Sequence, residues 1–184
     1  MPSSWQKKQF VETLYSGGVV AYPTEAVFGL GCHPLDEAAV TKLLVIKKRS
    51  WRKGLILIGS EFSQFAPFLL PVPAKLYEKI HSPQKRPTTW LLPANEECPS
   101  WLTGEHKTLA VRLVEHDLAR EMCVLSGTAL VSTSANISGQ MAIKTAWQAR
   151  LKFNKQGVSV LNGRVGSRSE PSQILDPLMG ERLR

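Results

Sequence analysis

Small hydrogen-bonding groups are concentrated at Ser132-Thr133-Ser134-Ala135-Asn136-Ile137-Ser138-Gly139, directly after the apolar run Ala129-Leu130-Val131. Hydroxyls offer a donor and acceptors, and the Asn136 amide offers both, which suits phosphate oxygens, a ribose or a purine edge. A buried strand running into such a stretch would deliver these groups to its carboxyl end, where open α/β sheets bind ligands. The same residues would also make a polar turn whose hydroxyls cap backbone groups. Lys47 and Arg49 stand one residue apart where a helix ends. There they either converge on a carboxylate or polyphosphate or simply complement the helix dipole. Arg112 interrupts Leu109-Ala110-Val111-Arg112-Leu113. Burying it alone is costly, so it faces solvent or meets an anion, and beside a cleft it would clamp a carboxylate. Thr24 and Glu25 follow Pro23 after a buried run. They either face a ligand, with Thr24 donating a hydrogen bond, or form a turn whose Glu is solvated.

Other chemistries lack their residues. No Gly-x-x-x-x-Gly-Lys-Ser/Thr loop and no dinucleotide fingerprint occur. The four histidines, His33, His81, His106 and His116, have no metal-ligand spacing, and no nucleophile triad stands out, so no metal site is expected. Cys32, Cys98 and Cys123 are odd in number and read as packing residues in a reducing compartment. What remains suits a reaction in which the substrates bring the nucleophile while the protein positions and neutralises them.

The elements that must hold these groups alternate between strand and helix. Apolar spacing predicts a helix over 4–15 stopped by Gly17-Gly18, a strand over 19–22, and a second strand-end loop over 23–32, with Pro23 ending the pairing. A helix capped by Asp36 runs to about Lys48, and Leu55-Ile56-Leu57-Ile58 reads as a buried strand. Short helical stretches over 60–67 and 73–81 lead through a basic loop, Gln84-Lys85-Arg86-Pro87, to a strand over 89–92. After loops anchored by Trp101 come a strand over 109–113, a helix over 116–125 and the strand that opens the hydroxyl stretch. Thr145 and Gln148 make a capping box for a helix to about Phe153, 158–161 is the last predicted strand, and 162–184 is predicted to be loop. This pattern predicts an α/β or α+β domain with a twisted, mixed sheet. A length of 184 residues fits one domain. Lys and Arg outnumber Asp and Glu by 23 to 15, and the formal charge of +8 favours acidic partners such as nucleotides or RNA. Without a signal core or an apolar segment approaching about 18 residues, a cytoplasmic location and no membrane contact are expected.

Four stretches in register carry a family resemblance: Val20-Ala21-Tyr22-Pro23-Thr24-Glu25-Ala26-Val27-Phe28-Gly29-Leu30-Gly31-Cys32, Lys47-x-Arg49 before Lys53-Gly54-Leu55-Ile56-Leu57-Ile58, Leu109-Ala110-Val111-Arg112, and Ser132 through Gly139. Together they resemble the YrdC/TsaC family of threonylcarbamoyl-AMP synthases, as does the tail Pro171-Ser172-Gln173-Ile174. The likeness runs from about residue 10 to the end, and it implies a single YrdC-like domain over 1–184: a twisted open mixed sheet with helices packed on it and a large basic cleft. It implies condensation of L-threonine, bicarbonate or CO2 and ATP, with Mg²⁺, to threonylcarbamoyl-adenylate and pyrophosphate. The product would pass to tRNA threonylcarbamoyl transferase proteins that modify the adenosine beside the anticodon. Carried over by residue, Thr24 and Arg112 would hold threonine, Lys47 and Arg49 would be catalytic cations, and Ser132, Ser134, Asn136 and Ser172 would bind ATP. The chain departs from the family at Ser50, where Pro is common, and at Gln84-Lys85-Arg86-Pro87, where a Trp-Pro-Gly-Pro-like segment is usual. A non-catalytic RNA-binding module in tRNA or ribosome maturation is the alternative that the charge leaves open.

Overall fold

Val20–Pro23 (β1) and Phe28–Cys32 (β2) form an antiparallel hairpin, with Val20 opposite Gly31 and Pro23 opposite Phe28. The expected loop over 23–32 is therefore a turn and a strand, and Pro23 closes the ladder rather than ending it. Phe28, Leu30 and Cys32 alternate toward the core, as a strand requires, but the glycines between them mask the pattern. Close approach explains the choice of glycine. A Cβ on Gly31 would lie 2.3 Å from the Val131 carbonyl oxygen and 3.0 Å from the Tyr22 ring.

The computed structural model describes residues 1–136, 142–168, 172–177 and 181–182. Along the chain the remaining elements are α1 (Ser4–Tyr15), α2 (Glu37–Lys47), β3 (Ile56–Gly59), α3 (Ala74–His81), β4 (Thr88–Pro93), α4 (Ser100–Thr103), β5 (Thr108–Leu113), α5 (Asp117–Ser126), β6 (Leu130–Ser134), α6 (Ala146–Phe153), β7 (Ser159–Val160), β8 (Gln173–Asp176) and β9 (Glu181–Arg182). Among the described residues nine strands form one open sheet in the order β7-β1-β2-β6-β3-β5-β4-β8-β9. Pairing is parallel at β7/β1, β3/β5 and β4/β8 and antiparallel elsewhere, so the sheet is mixed.

Local chemistry accounts for the helix ends. The Asp36 side chain accepts from the Ala39 amide, and Ser3/Gln6 and Thr145/Gln148 both form complete capping boxes. A 3₁₀ stretch, Phe62–Phe68, stands where a helix over 60–67 was expected, with Pro67 inside it. Trp101 does anchor its region, donating from Nε1 to the Pro34 carbonyl at 3.1 Å.

Two further expectations are corrected. Ser132, Thr133 and Ser134 lie within β6, not beyond it; Ser132 pairs with Gly31 on one side and Ile56 on the other. The tail is not all loop, nor is 158–161 the last strand. β8 joins β4 in parallel, Thr88 opposite Gln173, and Gln173 Nε2 donates to Thr88 Oγ1 at 2.8 Å. Its apolar pattern is too short to read as a strand without that neighbour.

Helices cover both faces of the sheet. On one face α2, α6 and the 62–68 turn pack over Ala21, Phe28, Leu30, Leu57, Val111 and Val131. On the other, α1 and α5 bring Phe10, Leu14, Leu118 and Met122 against Val20, Tyr22, Ile58 and Leu130. Fully burying one such side chain stabilises by about 1.5–3 kcal/mol, so both layers hold the sheet. No described helix is long and apolar enough to cross a membrane.

Candidate functional site

Strand alternation places Gly29, Ile56, Ala110, Arg112, Ser132 and Ser134 on the same face as Tyr22, Ile58 and Leu130. The first six line a cavity of about 760 Å³, a volume suited to a nucleotide-sized ligand. Four of them, Gly29, Ala110, Ser132 and Ser134, are small residues, which keeps the floor low. The cavity thus spreads across a sheet face, and the expectation of a site confined to strand carboxyl ends is corrected.

The hairpin turn supplies one edge. Thr24 Oγ1 donates to the Val27 carbonyl at 2.7 Å, and Thr24 and Glu25 are each only 7% exposed. Glu25 is therefore not a solvated turn residue. One carboxylate oxygen accepts from the Glu115 amide at 3.1 Å, and the other lies 3.5 Å from an Arg112 terminal nitrogen. Burial alone would raise the Glu25 carboxyl, but the Arg112 charge and the Glu25 and Glu115 amides outweigh it, holding the group below the usual carboxylate range. Arg112 points into the cavity's face and does not run out to solvent. Its buried Nε has no partner among the described residues.

At the opposite edge the Arg49 guanidinium donates to the Gly54 carbonyl at 2.9 Å, and burial lowers its pKa from the ordinary value. Lys47 does not line the cavity. Its ammonium donates to the carbonyl oxygens of Ser134 and Asn136, tying the end of α2 to the end of β6. Burial first, then the Arg49 charge, lowers Lys47 to about 8. Asn136 accepts from the Ile143 amide at 2.8 Å through Oδ1. At the far side Ser172 is buried beside Thr89, their hydroxyls 3.0 Å apart. The structure therefore brings Thr24, Arg49, Arg112, Ser132, Ser134, Asn136 and Ser172 to one cavity and leaves Lys47 behind its wall. Residues 137–139 of the hydroxyl stretch and Pro171 lie outside the described residues.

Lys53, Lys144 and Arg168 also line the cavity, and Glu25 is the one carboxylate among the described lining residues. Lys144 and Arg168 were missed as site residues because they come from loops after β6 and β7 with no spacing relation to the motifs. Among the described residues no group of three or more His, Cys, Asp or Glu could hold a metal ion. With its carboxylate engaged by Arg112, the lining suits a metal that arrives already bound to a polyphosphate.

The sequence model of the Sua5/YciO/YrdC family, described as "Telomere recombination", matches residues 12–184. The chain is 44% identical over 181 residues to a threonylcarbamoyl-AMP synthase of Nitrosococcus oceani, covering 98% of both chains. It is 46% identical over 175 residues to one of Photorhabdus laumondii, covering 90% of this chain and 88% of that protein. Among solved structures, P. abyssi Sua5 complexed with L-threonine is similar at a TM-score of 0.86 and 28% identity over 96% of this chain. The chain spans 52% of that Sua5 chain.

Proposed function

We propose that this chain, which belongs to the Sua5/YciO/YrdC family, is a nucleotidyltransferase that makes L-threonylcarbamoyladenylate from L-threonine, bicarbonate or CO2 and ATP. The observation that carries the reading is the meeting, in one cavity, of an excess of cations with the hydroxyl groups of β6 and the Asn136 amide. Threonine's neutral amine attacks the carbon of CO2 and loses a proton to solvent, giving a carbamate. A carbamate oxygen then attacks the α-phosphorus of ATP. The new O–P bond forms as the bond to the β-phosphate oxygen breaks, and pyrophosphate leaves.

Both reactants are anions at the second step, so their approach needs positive charge. Arg112 holds the threonine carboxylate with Thr24 at its hydroxyl end. Arg49 faces the carbamate and phosphates, and Lys47 supports it from behind the wall while fixing the β6 end. Ser132, Ser134, Asn136 and Ser172 position the nucleotide. Mg²⁺ brought in with ATP would share in neutralising the triphosphate. The product is consumed in the cytoplasm by transferases that modify tRNA beside the anticodon. Similarity to the threonylcarbamoyl-AMP synthase of N. oceani and to threonine-bound Sua5 supports threonine as substrate and threonylcarbamoyl-AMP as product.

The test is pyrophosphate release by the purified protein with MgATP, omitting threonine or bicarbonate in turn. Release that requires both supports the synthase. Absence of release, with salt-sensitive RNA binding by the same folded sample, moves the reading to an RNA-binding module.

A further inference from the structure

Arg112 stands in β5 with a side chain 13% exposed, and the carboxylate of Glu25 beside it is 8% exposed. Neither charge would be tolerated in that position without the other. Glu25 takes an Arg112 terminal nitrogen at 3.5 Å, while the Arg112 Nε is buried without a partner among the described residues. One end of the guanidinium is thus engaged by the protein, while the side chain also lines the cavity. A guanidinium binds a carboxylate well only when its plane is fixed, because two parallel hydrogen bonds must form together.

Glu25 is itself held on three sides. Its carboxylate accepts from the Glu115 amide at 3.1 Å, and its own carbonyl accepts from the Arg168 amide at 3.2 Å. The Arg168 guanidinium in turn meets the Glu115 carboxylate at 2.8 Å. A Cβ on Gly166 would come within 2.7 Å of the Glu25 carbonyl oxygen, so the segment before Arg168 lies directly on the hairpin turn. Two ion pairs, Arg112–Glu25 and Arg168–Glu115, joined through the Glu115 amide, therefore connect β5, the β1–β2 turn and the loop after β7.

We propose that Glu25 is a positioning residue for amino-acid recognition: its carboxylate sets the plane of the Arg112 guanidinium so that the part lining the cavity meets the substrate carboxylate. This rests on the synthase reading for the identity of the amino acid, and it adds a residue that acts through Arg112 without touching the nucleotide. The role is specific to one substrate. Losing the negative charge lets the guanidinium turn and weakens threonine binding, while the ATP side, built from β6 and Arg49, keeps its geometry.

The experiment compares wild type, Glu25→Gln, Arg112→Lys and the double variant. Glu25→Gln is expected to raise the threonine KM about tenfold while the ATP KM stays within about twofold, and to add less than about twofold in the Arg112→Lys background. A second measurement needs no activity: the Arg112 Nε–H resonance, assigned by its loss in Arg112→Lys, should exchange with water several times faster in Glu25→Gln. An unchanged threonine KM, an equal rise in both KM values, or full additivity with Arg112→Lys would overturn the proposal. So would an unchanged exchange rate. If the wild type releases no threonine-dependent pyrophosphate, the synthase reading fails by itself, and the exchange rate still decides whether Glu25 sets Arg112.

Discussion

The side-chain ammonium of Lys47, in the last turn of α2, donates to the main-chain carbonyl oxygen of Ser134, at the end of β6. A second bond to the Asn136 carbonyl makes it a clamp on the segment from which Ser134 and Asn136 reach the cavity. Its charge thus acts on that edge of the cavity through the backbone it holds as well as through space.

The clamp needs the charged form. Because burial and Arg49 lower Lys47 to about 8, the charge is fully present well below that pH and is lost as pH rises through it. Affinity for MgATP, measured by titration calorimetry, should fall with an apparent pKa near 8 in the wild type. Lys47→Arg, whose guanidinium stays protonated, should shift that alkaline limb upward by at least about one pH unit. Lys47→Ala should lower turnover by about 100-fold or more with the circular dichroism spectrum unchanged.

Removing the proposed threonine clamp, Arg112, should be equally selective. Arg112→Ala leaves Glu25 as a buried, unpaired carboxylate, so threonine-dependent pyrophosphate release should drop by about 100-fold or more, with a loss of about 3–5 kcal/mol in denaturant stability. Arg112→Lys keeps the charge without the fork. It should retain most of the stability while still binding threonine poorly in the same assay.

The buried contact between Thr89 and Ser172 ties the β8 end of the chain to β4. Thr89→Val keeps the shape but removes the hydroxyl. It should cost about 1–2 kcal/mol in urea unfolding, and limited proteolysis should cut near residue 172 earlier than in the wild type.

Gly31 is the strictest backbone position on the floor side of the sheet. Its Cβ would collide with the main chain of β6, which cannot move independently of its own ladder. Gly31→Ala should therefore destabilise by about 3 kcal/mol, seen as a lowered denaturation midpoint, whereas Gly127→Ala, with open space around it, should cost only the strain of its φ of 65°.

The longer helices were legible because caps and apolar spacing act over a few residues: Asp36, and Thr145 with Gln148, mark helix starts without help from the rest of the chain. Strands with continuous apolar runs, β1, β3 and β5, were legible for a similar reason. The strand at 28–32 was not, since alternate glycines carry no hydrophobic signal and make sense only against the Tyr22 ring and the Val131 carbonyl. Ser132 to Ser134 read as a loop because hydroxyls look like turn residues until a cavity is known to lie above them.

Seven of the eight residues named for the site line one cavity, and their chemical types could be read in chain order. Residue type states what a group can donate, accept or neutralise, and that is a local property. Only the fold decided that Arg112 faces Glu25, that Lys47 serves the β6 backbone, and that Lys144 and Arg168 join the lining. Those relations depend on strand register and on which sheet face α1 and α5 leave uncovered. Both are set by pairing and packing between segments far apart in the chain, where no local pattern carries the information.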